Sequence, residues 1–183
     1  MIRAFVAIGL PEAVRAELAR LQAVLPLPRR SLPDGFHLTL AFLGDRPEPE
    51  LDEAHLALSA IRCPAFEMEL RGAALFGGDR PRVAYAAVAP APGLMALHDR
   101  VETALRRAGI AIEARRFTPH VTLGRLGGRR DEAARIEAAV AAAAGFRAGP
   151  WRVDRFGLWR SDPGPEGRVY AEMVDYPLMP ALP

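Results

Sequence analysis

One pattern, His-x-Thr-Leu-x-x-Leu-Gly, stands in the chain twice, at His37 to Gly44 and again at His120 to Gly127. Each copy is short, rich in large and β-branched apolar residues and bounded by turn formers, which predicts a strand. Side chains two apart on a strand share a face, so His37 joins Thr39 and His120 joins Thr122. The motifs are then His37-Leu38-Thr39-Leu40 and His120-Val121-Thr122-Leu123, with the intervening Leu38 and Val121 directed into a core. Leaving an imidazole or a hydroxyl buried without a partner costs about 1–3 kcal/mol per group. The polar face of each strand must therefore find partners or line a cleft, and two such strands brought face to face would make a His-Thr/His-Thr site.

The segments around the motifs read as alternating strands and helices. Arg3 to Leu10 is an apolar strand, and Val14, Leu18, Leu21 and Leu25 mark an amphipathic helix stopped by Pro26 and Pro28. Leu27 to Gly35 is a loop leading to the first motif. After a turn at Asp45 to Pro49, Leu51, His55, Leu58 and Ile61 mark a second helix. Phe66, Met68 and Leu70 alternate with Glu67, Glu69 and Arg71, as on a half-buried antiparallel strand. Gly77 to Pro81 turns the chain into a partner strand, Val83 to Val88. Leu94, Leu97, Val101, Leu105 and Ala108 form the clearest helix stripe, closed by Gly109 in the C-cap position. The second motif follows, then an alanine-rich helix from about Arg130 to Ala144. A strand from Trp151 to Arg160, a hairpin loop at Asp162 to Gly167 and a strand from Val169 to Tyr176 close the chain.

This order, with no linker between its halves, predicts one α+β domain over residues 1–183. It has two lobes related by an approximate two-fold, each an antiparallel sheet backed by helices, with the motifs across the cleft between them. Half of the 183 residues are hydrophobic, enough for a sizeable core. No apolar run approaches the roughly 20 residues that span a bilayer, and the first strand lacks the features of a signal peptide. The expected location is the cytoplasm, and the expected state a monomer. A lone cysteine, Cys63, forms no internal disulfide and reads as a buried small residue.

Net charge is only +2, yet all 24 strongly basic residues are arginine. Arginine suits bidentate phosphate contacts, although GC-rich codon use explains most of the bias. Arg80-Pro81-Arg82, Arg115-Arg116 and Arg125, Arg129 and Arg130 are the local clusters able to attract a phosphodiester. His55 and His98, on helix stripes, read as packed histidines, and Glu67 and Glu69 as outer-face residues. Trp151, Trp159 and Tyr176 read as packing aromatics that also have the chemistry to stack on bases.

Two histidines and two hydroxyls, with no P-loop, no His-x-x-x-His spacing and no cysteine near either motif, fit paired acid and base catalysis. A metal-dependent hydrolase would need a third ligand, which neither motif supplies. A non-catalytic RNA-binding module that holds phosphate on the same strands is the remaining reading from the residues alone.

The two His-x-Thr motifs in their Ala41-Phe42-Leu43-Gly44 and Thr118-Pro119-His120-Val121-Thr122-Leu123-Gly124-Arg125 contexts resemble the 2H phosphoesterase superfamily. Within it, they are most similar to the bacterial RNA 2′,3′-cyclic phosphodiesterase branch, also called 2′-5′ RNA ligase. The resemblance spans nearly the whole chain. It implies hydrolysis of an RNA 2′,3′-cyclic phosphate to a 2′-phosphomonoester without metal or cofactor, and a reverse 2′-5′ ligation. It also implies His37 as proton donor, His120 as proton acceptor, and Thr39 and Thr122 as phosphate ligands. Arg125 is a candidate further phosphate contact, though its parity on the strand is opposite to that of His120. Other specificities within the superfamily, toward cyclic ADP-ribose phosphate or RNA-end trimming, are the alternative.

Overall fold

The computed structural model describes residues 1–113, 116–127, 130–165 and 167–180, with the backbone alone at residues 130 and 131. Among the described residues, nine strands form one antiparallel sheet around two copies of a strand-helix-strand-helix run. The first run is β1 (Ile2–Gly9), α1 (Glu12–Val24), β3 (His37–Arg46) and α2 (Glu48–Ser59); β2 (Arg29–Arg30) lies in the connection before β3. The second is β5 (Val83–Val88), α3 (Pro92–Arg107), β6 (His120–Arg125) and α4 (Arg130–Ala142). β4 (Phe66–Phe76) precedes the second run, and β7 (Arg147–Val153), β8 (Arg155–Gly164) and β9 (Gly167–Pro177) follow it.

The sheet order β7-β4-β5-β6-β3-β1-β8-β9 reads as two four-stranded halves that meet where β6 lies beside β3. The motif strands are therefore the central ones, joined through the antiparallel pair Leu38 and Val121. α1 and α4 pack on the half containing β4, β6 and β7, while α2 and α3 pack on each other and reach β9 and β3.

The helices bury most of the stripes their spacing predicts: Val14, Leu18 and Leu21; Leu51 and Leu58; Leu94, Leu97, Val101 and Leu105; and Ile136. Ala54 is buried where the second stripe was expected to carry His55, and His55, Ile61, Ala108 and Val140 are only half-buried. The buried residues meet the inward faces of the strands, including Ala4, Val6, Ile8, Leu38 and Val121, in one continuous core. A fully buried leucine contributes about 1.5–3 kcal/mol. The third helix ends at Arg107 with Ala108 as its C-cap, and Gly109 follows at φ +74, with Ile110 N–H donating to the Leu105 carbonyl at 3.0 Å. A residue with a Cβ would be strained at that left-handed turn.

Two expectations need correction. The segment from Trp151 to Arg160 is two strands, one in each half: β7 pairs with β4, and after Asp154 β8 pairs with β1. Both pieces alternate apolar residues, so composition conceals the crossing. The expected hairpin loop is also shorter, because the β8–β9 ladder continues through Asp162, Pro163 and Gly164, opposite Val169, Arg168 and Gly167. Pro163 needs no ladder donor on an outer hairpin. Glu166 lies outside the described residues.

Candidate active site

β3 and β6 run antiparallel through Leu38 and Val121, so the residues flanking that pair are brought opposite one another: His37 toward Thr122, and Thr39 toward His120. Leu38 and Val121 are fully buried, whereas all four polar side chains lie half-buried on the other face. That face forms a cleft of two adjoining hollows, of about 470 and 600 Å³, and Thr39, His120, Thr122 and Arg125 line both. The larger one also holds His37.

Both imidazoles are held by the same local device. His37 Nδ1 lies 2.7 Å from the Gly35 carbonyl, and His120 Nδ1 lies 2.7 Å from the Thr118 carbonyl. A carbonyl only accepts, so each Nδ1 carries a proton, and Nε2 is the nitrogen whose protonation changes. Each motif strand thus presents its histidine in one tautomer, fixed by the backbone two residues upstream.

The surroundings of the two rings differ. His37 sits in an aromatic nest, with Phe5 at 4.8 Å and Tyr170 edge-on at 4.8 Å, and Trp159 parallel at 6.3 Å. Burial lowers the pKa of His37 from 6.5; the bond to Gly35 works in the opposite direction, and the nearby His120 adds a further lowering. His120 has Phe76 edge-on at 4.8 Å and Tyr85 at 5.4 Å. Phe5 and Tyr170 lie far from either motif in sequence, and no periodicity marks them as its neighbours.

Arg125 reaches the cleft despite its odd parity. β5 pairs Ala84 with Gly124 but Tyr85 with Thr122, which leaves Leu123 as an extra, unopposed residue. Leu123 and Gly124 are consequently both buried, and the next side chain returns to the cleft face. The first motif bulges in the same place: Ala7 pairs with Thr39 and Val6 with Ala41, so Leu40 is unopposed and Phe42 comes out 43% exposed on the cleft. The halves thus set an aromatic ring and a guanidinium at matching positions.

Other sequence candidates fall where packing places them. His55 Nδ1 lies 3.1 Å from the Tyr176 hydroxyl, Cys63 is buried, and Glu69 pairs with Arg71 and Arg147 on the outer face, with Glu67 exposed beside it. His98 is buried and stacked on Phe117 at 3.8 Å, lining the smaller hollow with Arg116. Arg115, Arg129 and the side chain of Arg130 lie outside the described residues. Trp151 packs against the core, and Trp159 backs His37. Among the described residues no three His, Cys, Asp or Glu side chains converge to hold a metal ion. No helix among them is long and apolar enough to cross a membrane.

The family model described as the 2′-5′ RNA ligase superfamily matches residues 10–165. The chain belongs to that superfamily. It is 34% identical over 195 aligned residues to an RNA 2′,3′-cyclic phosphodiesterase of Thermus thermophilus, covering 97% of this chain and 90% of the relative. It is 40% identical over 120 residues to an RNA 2′,3′-cyclic phosphodiesterase of Aeropyrum pernix, covering 62% and 68%. The fold matches a Thermus thermophilus crystal structure with a TM-score of 0.76 at 30% identity, covering 96% of this chain and 97% of that one. The crystal structure of Escherichia coli LigT in apo form matches at 0.74 and 26% identity, covering 97% of each. A superfamily member with paired His-x-Thr strands at the centre of an α+β sheet is what the two motifs resemble.

Proposed function

We propose that this chain hydrolyses 2′,3′-cyclic phosphate at RNA ends to the 2′-phosphomonoester, with His37 and His120 as its acid and base and with no cofactor. The observation that carries the reading is the matched presentation of two imidazoles, each with Nδ1 on a backbone carbonyl and Nε2 left to titrate, on strands paired through Leu38 and Val121. The names of the relatives support the substrate.

In this mechanism His120 takes a proton from water as its oxygen attacks phosphorus. The bond from phosphorus to the ribose 3′ oxygen breaks, and His37 gives that oxygen a proton. The hydroxyls of Thr39 and Thr122 donate to the nonbridging oxygens, where negative charge accumulates. An acid and a base each give about 10²–10⁴-fold, and the strain of the five-membered ring supplies part of the driving force. The same steps, with an RNA 5′-hydroxyl in place of water, form a 2′-5′ linkage.

The burial that lowers His37 works against a proton donor while the cleft is empty. A phosphate anion between the rings reverses that balance, since a neighbouring negative charge favours the imidazolium. Substrate binding thereby charges the acid it needs. We take the chain to be a single-domain, cytoplasmic monomer.

The test is turnover of an oligonucleotide ending in 2′,3′-cyclic phosphate in excess EDTA, with the product identified by phosphorus NMR against both isomeric standards. The reading expects full activity and the 2′-phosphate. Activity abolished by EDTA and restored by a divalent ion, a 3′-phosphate product, or tight binding without turnover would each overturn it.

A further inference from the structure

The face that carries the second motif continues past it. Beyond Val121, the edge of β6 pairs with the two-residue strand β2, which sets Arg29 opposite Arg125 and Arg30 opposite Gly124. Opposed residues of an antiparallel pair carry their side chains on the same face. Arg29 therefore shares the strand face on which Arg125 lines the cleft, just outside the cleft's own lining. Arg30 points elsewhere, and its guanidinium donates to the Leu25 carbonyl at 3.4 Å.

Like charges directly opposite each other destabilise a sheet. Both arginines are exposed, and among the described residues neither has an ion pair. The chain nonetheless holds the two strands together firmly. The buried Gln22 side chain donates to the Ser31 carbonyl at 2.8 Å and to the Leu123 carbonyl at 2.7 Å, and Ser31 N–H donates to the same Leu123 carbonyl at 3.0 Å. Gly124 is what admits β2, since a Cβ there would stand 2.5 Å from the Arg29 carbonyl oxygen. A two-residue strand contributes little to the sheet by itself, so the investment fixes what it carries.

We propose that Arg29, together with Arg125, holds the phosphodiester on the 5′ side of the terminal nucleotide, so that the cleft selects the ends of RNA chains over cyclic mononucleotides. This rests on the function proposed above and adds the part of the substrate that no reacting group touches. Arg29 lies one strand spacing, about 4.8 Å, from Arg125, on the same edge of β6 that carries β3 farther along. An uncompensated guanidinium pair recognises backbone and not base, so the preference is for chain length and is blind to sequence.

The test compares kcat/KM for adenosine 2′,3′-cyclic phosphate and for a trinucleotide ending in the same group, using wild type and Arg29→Gln. Wild type favours the trinucleotide. In the variant the trinucleotide-to-mononucleotide ratio falls about tenfold through KM, the loss of one charge-assisted contact. The salt dependence of the trinucleotide reaction becomes shallower by about 0.7 in log-log slope. Arg29→Lys restores part of the ratio. A trinucleotide with an uncharged methylphosphonate at the linkage 5′ of the terminal nucleotide loses the preference on wild type, and Arg29→Gln then changes nothing further. This last arm on wild type decides the question if the variant fails to fold. Turnover of both substrates with no length preference, or a ratio unmoved by Arg29→Gln or by the methylphosphonate, overturns the inference while leaving the proposed function intact. No turnover of either substrate overturns the proposed function itself.

Discussion

Leu38 and Val121 face each other across the antiparallel contact that joins β3 to β6, and each is the residue between the His and the Thr of its motif. One apolar pair thus sets the register of the whole site. With Leu38 and Val121 turned into the core, alternation leaves His37, Thr39, His120 and Thr122 no face but the cleft.

Cutting back that pair should therefore cost both stability and activity. Leu38 is fully buried, and Leu38→Ala is expected to destabilise the fold by about 2–5 kcal/mol in urea titrations. The volume-conserving Leu38→Met should lose under about 1.5 kcal/mol and keep most of the turnover. A well-folded Leu38→Ala variant with wild-type stability would show that the two halves are held by something else.

The threonines are expected to hold phosphate and not to attack it. Thr39→Ser and Thr122→Ser keep the donor and should retain much of the activity. Thr39→Val and Thr122→Val keep the shape without the donor and should lose about 10²-fold or more in kcat, as when an oxyanion donor is removed. A phosphothreonine trapped during turnover would contradict this.

The acid side of the pH profile is tied to the aromatic nest. His37 is lowered from 6.5 by burial, so NMR titration of the free protein should place it below that value, and a bound phosphate monoester should raise it. The depressed folded value fixes the sign of the stability effect. Above pH 6.5 both states are neutral and the contribution is complete. As pH falls below 6.5 the unfolded chain takes up its proton first, and stability is lost until the folded value is passed. Tyr170→Ala opens the nest and should move His37 back toward 6.5, shrinking that acid-side loss. A His37 that titrates at or above 6.5 in the free wild type would contradict the burial argument.

Much of this site could be read before any coordinates, because a strand's two-residue period is a strong constraint on which side chains share a face. That period located His37, Thr39, His120 and Thr122, and the helix stripes from Val14 to Leu105 followed from theirs. Taken alone, the same rule sets Arg125 off the cleft face; it remained a candidate only on condition of a bulge, which the unopposed Leu123 supplies and nothing local marks. It also merged β7 with β8, whose crossing at Asp154 depends on which partner strand each half meets. The cage around His37 was illegible for a related reason: Phe5 and Tyr170 reach it from β1 and β9, and only the sheet order makes them neighbours.

The division of labour between the histidines is the centre of the account, and a substrate whose leaving group needs no proton tests it most directly. On a ribonucleotide 2′,3′-cyclic phosphate, His37→Ala and His120→Ala should each lose about 10²–10⁴-fold in kcat. On a phosphodiester that fits the cleft and expels a nitrophenolate, His37→Ala should recover most of its lost rate, because the acid has no task, while His120→Ala should stay severely impaired. Recovery by His120→Ala instead would exchange the two roles, and equal defects on both substrates would contradict acid–base catalysis by this pair.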